Sequence, residues 1–215
     1  MKKMNKLNMN NSIINDENNN IIVSKDSIYT IMNHSLKTFN IEVKSNCKVI
    51  INDFRIIDKE DTNIKIKING KASLIYNHSF INKNKYELNI NTTYKSEESE
   101  IILNIHGIND KGFNTTNVSG IMSDKKNNIL IEDIRLININ NGSGIIIPNI
   151  LAETSKIIAN HNTTIGTISE DELSYLMSKG ISETEAKNLI LTGFLINIFK
   201  DKGLITKIKE IIYWR

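Results

Sequence analysis

The sequence has one cysteine, one proline, few aromatic residues and no long apolar run. Because Cys47 is the only cysteine, no internal disulfide and no cysteine-only metal site can form within one chain, which fits a reducing compartment. Apolar runs such as 145–147 are far too short to span a bilayer. Residues 1–20 are polar and Asn-rich and lack the apolar segment of a secretory signal. These absences predict a cytoplasmic protein.

Several chemical signatures are also missing from the sequence. It contains no Walker A sequence, no G-x-G-x-x-G after a strand, no closely spaced pair of metal-binding histidines and no Ser/His/Asp arrangement. The net charge of +3 is spread along the chain, whereas a nucleic-acid interface concentrates basic residues on one face. We therefore predict a binding or scaffolding protein that is not an enzyme and that binds neither nucleotide nor nucleic acid.

Alternating apolar and polar residues run from about 41 to 165, and this is the pattern of half-buried strands. Ile64, Ile66 and Ile68 alternate with polar residues, and several similar segments follow. Short strands at roughly ten-residue intervals favour an all-β sandwich, barrel or solenoid. Tight hairpin turns are scarce and polar corners are common, so a coiling β-helix is preferred. The segment 27–39 fits either a short helix or a strand.

Sequence signals for the starts and ends of helices begin at residue 169. Ser169 and Ser182 each precede a glutamate at capping-box spacing, and Gly180 stands where a helix ends. A third helical stretch covers 204–212. We therefore divide the chain into a mobile tail (1–20), a β-helix core (21–168) and a C-terminal helical region (169–215). The second helix has more apolar residues than one buried stripe needs, so it either contacts a partner or is buried among the other helices.

Residues 148–199 resemble the C-terminal core of the SufB/SufD family. The matching pattern begins with a proline-containing strand (Pro148), a strand ending in histidine (His161) and a small polar step ending in glycine (Thr163 to Gly166). It continues with an acidic helix cap (Ser169 to Glu172) and a Leu-x-Tyr-Leu helix (Leu173 to Leu176) that ends in Gly-Ile (Ser178 to Ile181). A Glu-Ala pair (Glu185-Ala186) and an apolar helix with Gly-Phe (Gly193-Phe194) complete it.

The resemblance implies a right-handed parallel β-helix with a C-terminal α-helical appendage. It implies a non-catalytic scaffold subunit for iron–sulfur cluster assembly that docks a SufC-like ABC ATPase through its C-terminal helices. It also implies a hetero- or homodimer with a second SufB/SufD-type chain, and a transient iron–sulfur cluster or iron at the dimer interface. The expected docking residues are Leu173, Tyr175, Leu176, Gly180, Ile181, Ala186, Ile190 and Phe194.

His161 is the candidate metal ligand, because it occupies the position of the family's site histidine; a structural histidine is the alternative. Asn162 stands where SufB-type chains have glutamate, so the chain is nearer SufD. The strand expected over 129–137 lacks the SufB-type cysteine. Cys47 is interpreted as a buried small hydrophobe, and His106 as an exposed or turn-capping histidine.

Two other functions compete with the scaffold. A free-standing β-solenoid that binds carbohydrate or acts as a structural spacer would carry a ladder of exposed aromatic residues and an export signal, and neither is evident. A metalloenzyme would need a convergent set of ligands, which the sequence does not contain.

Overall fold

The computed structural model describes residues 19–33, 37–122 and 126–212. The predicted mobile tail, apart from its last two positions, and His34 lie outside the described residues. The strands are β1 Asn20–Val23, β2 Ser27–Met32, β3 Thr38–Val43, β4 Lys48–Ile68, β5 Ser73–Tyr94, β6 Glu100–Asp110, β7 Phe113–Met122, β8 Asn128–Ile139, β9 Ser143–Ala152 and β10 Ile157–Gly166. The helices are α1 Glu170–Ser178, α2 Glu183–Ile196 and α3 Lys202–Ile211.

The strands form a parallel β-solenoid of about five turns, which confirms the β-helix predicted from the alternation. One side stacks β2, β4, β5, β6, β8 and β10, and the other stacks β1, β3, β4, β5, β7 and β9. β4 and β5 are long enough to contribute to both sides. The ambiguous segment 27–39 contains β2 and the first two residues of β3, so it forms strands and not a helix where it is described.

The interior of the solenoid is an apolar stack. Ile64, Ile66 and Ile68 are buried, as the alternation predicts, and they pack in one cluster with the inward residues of the other turns. Cys47 is also in this cluster, so its interpretation as a small buried hydrophobe is confirmed, and burial raises the pKa of its thiol. A solenoid of this kind gains its stability turn by turn, because each turn contacts only its neighbours.

Asparagine side chains, several of them buried, connect successive turns of the solenoid. The Asn77 amide donates to Asn52 at 2.9 Å, and the Asn104 amide donates to Asn77 at 2.8 Å. A second column joins Asn82 and Asn109 at 3.2 Å. Asparagine also occupies left-handed corners, where its short polar side chain is tolerated better than most. Those residues are Asn19, Asn33, Asn46, Asn127, Asn140 and Asn141.

The helices begin and end where the local sequence predicts. The Ser169 side chain accepts from the amide of Glu172, and Ser182 and Glu185 form a complete capping box. Gly180 has a φ of +86°, the left-handed conformation typical of a helix C-terminus. None of the helices in the described ranges is long and apolar enough to cross a membrane.

The second and third helices pack on the outer face of the solenoid. Their buried residues share a cluster with outward residues of β4, β5 and β6, so most of the apolar surplus of α2 is buried within the chain. The cluster comprises Phe54, Ile81, Ile108, Leu191, Leu195, Phe199, Leu204, Ile208 and Ile212.

Candidate functional site

The last two turns of the solenoid place His161 on the inward face of β10. Ile157 begins that strand and packs against the core, and β10 pairs with β8 without a register shift from Ile157 to Gly166. Because side chains alternate along a strand, His161 lies four positions further on the same face. β10 ends the stack on its side within the described chain, and its His161 side chain is exposed.

Glu132 is the register partner of His161 on β8, one turn earlier. Its neighbours in the inward phase of β8, Leu130 and Ile134, are completely buried, and so is Glu132. Neither carboxylate oxygen of Glu132 has a hydrogen-bond partner among the described residues. Burial raises the pKa of this carboxyl from 4.5 to about 7, because an apolar environment disfavours the charged form.

The outward neighbours of this pair are well bonded. The Asn162 amide donates to Oδ1 of Asp133 at 3.0 Å, and Nε of Arg135 donates to the same oxygen at 2.9 Å. Asp133 is in register with Asn104 and Asn162, so Asn162 continues the outer polar column begun by Asn52. The side-chain amide of Asn162 therefore contacts a carboxylate on the preceding turn.

Glu132 was not among the site residues predicted from the sequence. The signal was present in the alternation: Leu130, Glu132, Ile134 and Leu136 share one phase, so an acidic residue stands in an apolar stripe. An isolated carboxylate in such a stripe predicts either an ion pair or a functional group. The structure supplies no ion-pair partner among the described residues, which leaves this group available for chemistry.

The helical hairpin brings several of the expected docking residues to the surface. Tyr175 is 61% exposed, and Leu173, Leu176, Ile181 and Ile190 are half-buried. Gly180 is exposed at the turn between α1 and α2. Two large apolar residues that were not predicted, Met177 and Leu189, are also exposed.

Two expected docking residues face other parts of the chain. Ala186 is completely buried, and Phe194 is partly buried against the cluster between the helices and the solenoid. The docking role of the whole set stays a prediction.

His106 connects α2 to the solenoid. Its Nδ1–H donates to the carbonyl oxygen of Phe194 at 2.8 Å, and the two rings stack with centroids 4.6 Å apart. The prediction of an exposed or turn-capping histidine was wrong, because α2 covers the outward face of β6 and leaves His106 buried. Burial lowers the pKa of its imidazole. The carbonyl of Phe194 lies in the last turn of α2, where backbone acceptors lack intrahelical partners.

A buried polar cluster lies in the earlier turns and was not predicted as a site. The hydroxyl of Tyr76 donates to Asp53 at 2.9 Å, and Nδ1 of His78 lies 3.3 Å from the same carboxylate oxygen. Nε2 of His78 lies 3.2 Å from the hydroxyl of Tyr86, and Arg55 donates to Thr62 at 2.8 Å. These groups are sealed in the core and bonded to one another, which is the arrangement that buried polar groups need for stability.

Metal-binding capacity within one chain is limited. No group of three or more His, Cys, Asp and Glu side chains that could hold a metal ion occurs among the residues described. The end of the solenoid instead offers one exposed imidazole and one buried, unpartnered carboxylate on adjacent turns. This chemistry suits a divalent cation whose remaining ligands come from elsewhere.

Comparison with known proteins identifies the same end of the chain. A family model described as "SUF system FeS cluster assembly, SufBD core domain" matches residues 132–194, from β8 to the end of α2. An iron-sulfur cluster assembly SufBD family protein of Pyrococcus horikoshii is 39% identical over 67 residues, 30% of this chain and 15% of that relative. One from Methanothermobacter thermautotrophicus is 35% identical over 49 residues, 23% of this chain and 12% of the relative. The chain thus covers only a small part of the length of these relatives.

Proposed function

We propose that this chain is a non-catalytic scaffold subunit for iron–sulfur cluster assembly in the cytoplasm, because residues 132–194 match the SufBD core domain and the chain is similar to SufBD family proteins. The observation that carries the proposal is the position of the family match. It covers the last turns of the solenoid and the first two helices, where the exposed imidazole, the unpartnered carboxylate and the exposed hairpin residues lie.

The helical hairpin is the proposed docking surface for a SufC-like ABC ATPase. Tyr175, Met177 and Leu189 are large apolar side chains that the chain leaves exposed, and aromatic residues of this kind are common anchors of protein interfaces. The two capped helix starts and the left-handed turn at Gly180 restrict the backbone of the hairpin, and such restriction lowers the entropic cost of binding.

The open end of the solenoid is the proposed contact with a second SufB/SufD-type chain, in a homodimer or a heterodimer. β9 and β10 are the last strands of their stacks in the described chain, and an unpaired strand edge readily accepts another strand. Ile145, Ile147, Leu151 and Ile158 are exposed on these two strands. A heterodimer would also supply the cysteine that β8 lacks and the glutamate that position 162 lacks.

Iron or a nascent iron–sulfur cluster is the proposed cargo, held at the dimer interface with His161 as a ligand. The exposed imidazole at the open end of the solenoid supports this role. The ATPase partner would bind the nucleotide, and this chain would bind none.

Co-purification tests the docking. The chain is tagged, co-expressed with the Suf-type ABC ATPase of the same genome, and tested for co-elution as wild type, Tyr175→Asp and Ile28→Asp. Ile28 is a matched control, because it is 55% exposed and lies on β2 at the other end of the solenoid. We expect Tyr175→Asp to abolish co-elution and Ile28→Asp to leave it intact.

Two results would contradict this assignment. If Tyr175→Asp and Leu173→Asp both folded and still co-eluted with the ATPase, the hairpin would not be the docking surface. If the folded wild-type chain did not bind the folded ATPase at all, the scaffold function would be wrong, and the free-standing solenoid would become the better hypothesis.

A further inference from the structure

We propose that Glu132 and His161 together form half of a site for a divalent transition-metal ion such as Fe²⁺, with Glu132 as the acidic ligand. This inference rests on the proposed function for the identity of the cargo and goes beyond it by assigning the carboxylate. Position 162 has no acidic side chain, so the acidic ligand would instead be Glu132, on the inward face of the preceding turn.

The register brings the two side chains together. Glu132 and His161 are Cα partners on neighbouring parallel strands, and both belong to the inward phase. Neighbouring strands lie about 4.8 Å apart, and register partners project to the same side of a sheet. This separation lets one metal ion contact both side chains, since each of them reaches beyond its strand.

Among the described residues, no group pairs with the carboxylate of Glu132. Leu103 is its register partner on β6, and Leu130 and Ile134 flank it on β8. Burial raises the pKa of the Tyr94 phenol, and the nearby Glu132 carboxylate raises it further. That hydroxyl, however, donates to the carbonyl oxygen of Ile129 at 2.6 Å. Because an unpaired buried carboxylate is costly, a bound cation is the partner that this position lacks.

The adjacent carboxylate provides an internal comparison. Asp133 is one residue further along β8 but faces outward, and it accepts hydrogen bonds from Asn162 and Arg135. The same two turns therefore carry one satisfied carboxylate and one unsatisfied carboxylate. Only the unsatisfied one shares a face with the histidine.

Two ligands do not complete a transition-metal site, and no third His, Cys, Asp or Glu joins them among the described residues. Zinc and iron sites commonly have four or more ligands. The remaining positions would be filled by water in the isolated chain and by side chains of the second chain in the dimer.

Metal titration tests the half-site without an activity assay. Co²⁺ is titrated anaerobically, as a spectroscopic substitute for Fe²⁺, into the purified full chain and into its complex with a second SufB/SufD-type chain. The readouts are the Co²⁺ absorption bands and bound metal per chain. The variants are Glu132→Gln, His161→Ala and the matched control Asp133→Asn, each checked for folding by circular dichroism.

We expect one Co²⁺ per wild-type chain in at least one of the two samples. Glu132→Gln and His161→Ala should each weaken binding by at least about tenfold, a loss seen even for outer-shell partners of metal ligands. Asp133→Asn should bind like wild type. The half-site is wrong if neither sample binds Co²⁺, if Glu132→Gln binds as tightly as wild type, or if Asp133→Asn loses as much affinity.

Failure of the half-site is distinguishable from failure of the scaffold function. If Glu132→Gln binds Co²⁺ normally while the wild-type chain co-elutes with the ATPase, only the ligand assignment is wrong. If Co²⁺ binding requires Glu132 but the chain does not associate with the ATPase, the metal half-site stands and the scaffold function is wrong.

Discussion

The stability of the protein should depend on pH through Glu132, and Glu132→Gln should remove that dependence. Burial raises the pKa of this carboxyl from 4.5 to about 7. Well below pH 4.5 the carboxyl is protonated in both the folded and the unfolded chain, so its burial as a charge does not lower the free energy of unfolding. Between pH 4.5 and 7 only the unfolded chain has lost the proton, and the free energy of unfolding therefore falls as pH rises.

The size of the effect follows from the same two pKa values. A difference of one pKa unit corresponds to about 1.4 kcal/mol, so the shift at Glu132 corresponds to an upper limit of about 3 kcal/mol, reached above pH 7. Glutamine has nearly the same shape and no charge. We therefore expect Glu132→Gln to be about 2–3 kcal/mol more stable than wild type at pH 8 and close to it at pH 4.5.

Urea unfolding followed by circular dichroism, with a chelator present to remove bound cations, measures this difference from pH 4.5 to 8. Asp133→Asn is the control, since the Asp133 carboxylate accepts hydrogen bonds from Asn162 and Arg135. Other titrating groups cancel when wild type and variant are compared at each pH. If the difference between wild type and Glu132→Gln were the same at pH 4.5 and pH 8, the carboxylate would not be buried without a partner.

Three further changes probe the packing of the helices. Leu195→Ala removes a completely buried side chain between α2 and the solenoid, and urea unfolding should show a loss of about 2–5 kcal/mol; a loss below 1 kcal/mol would mean that α2 is not docked there. His106→Ala removes the donor to the Phe194 carbonyl, and hydrogen exchange of the α2 amides should become faster while amides of β4 keep their protection. Equal exchange in wild type and variant would contradict the connection. Ser182→Ala breaks the capping box of α2 and should cost about 1 kcal/mol of unfolding free energy, whereas the neighbouring exposed Thr184→Ala should change it little.

Local sequence codes predicted much of the fold. The alternation of Ile64, Ile66 and Ile68 identified a strand with one buried face, and the serines at 169 and 182 identified the first residues of two helices. These signals are reliable because strand alternation and helix capping depend on residues within a few positions of one another.

Contacts between distant residues were harder to predict. His106 was predicted to be exposed because no local pattern indicates that α2, 88 residues later in the chain, covers the outward face of β6. The asparagine content looked like a compositional bias, yet Asn77 and Asn104 join turns that are 27 residues apart. Periodicity shows which face of a strand is buried, but not which strand lies beside it.

By itself the sequence determined the strands, the helices and their caps, the resemblance to SufB/SufD proteins and the candidate His161. Only the tertiary structure decided that Glu132 lies beside His161, inside an apolar stack and without a hydrogen-bond partner among the described residues. The physical reason is that alternation is set by the geometry of one strand, whereas the register between strands 29 residues apart is set by the packing of the whole solenoid.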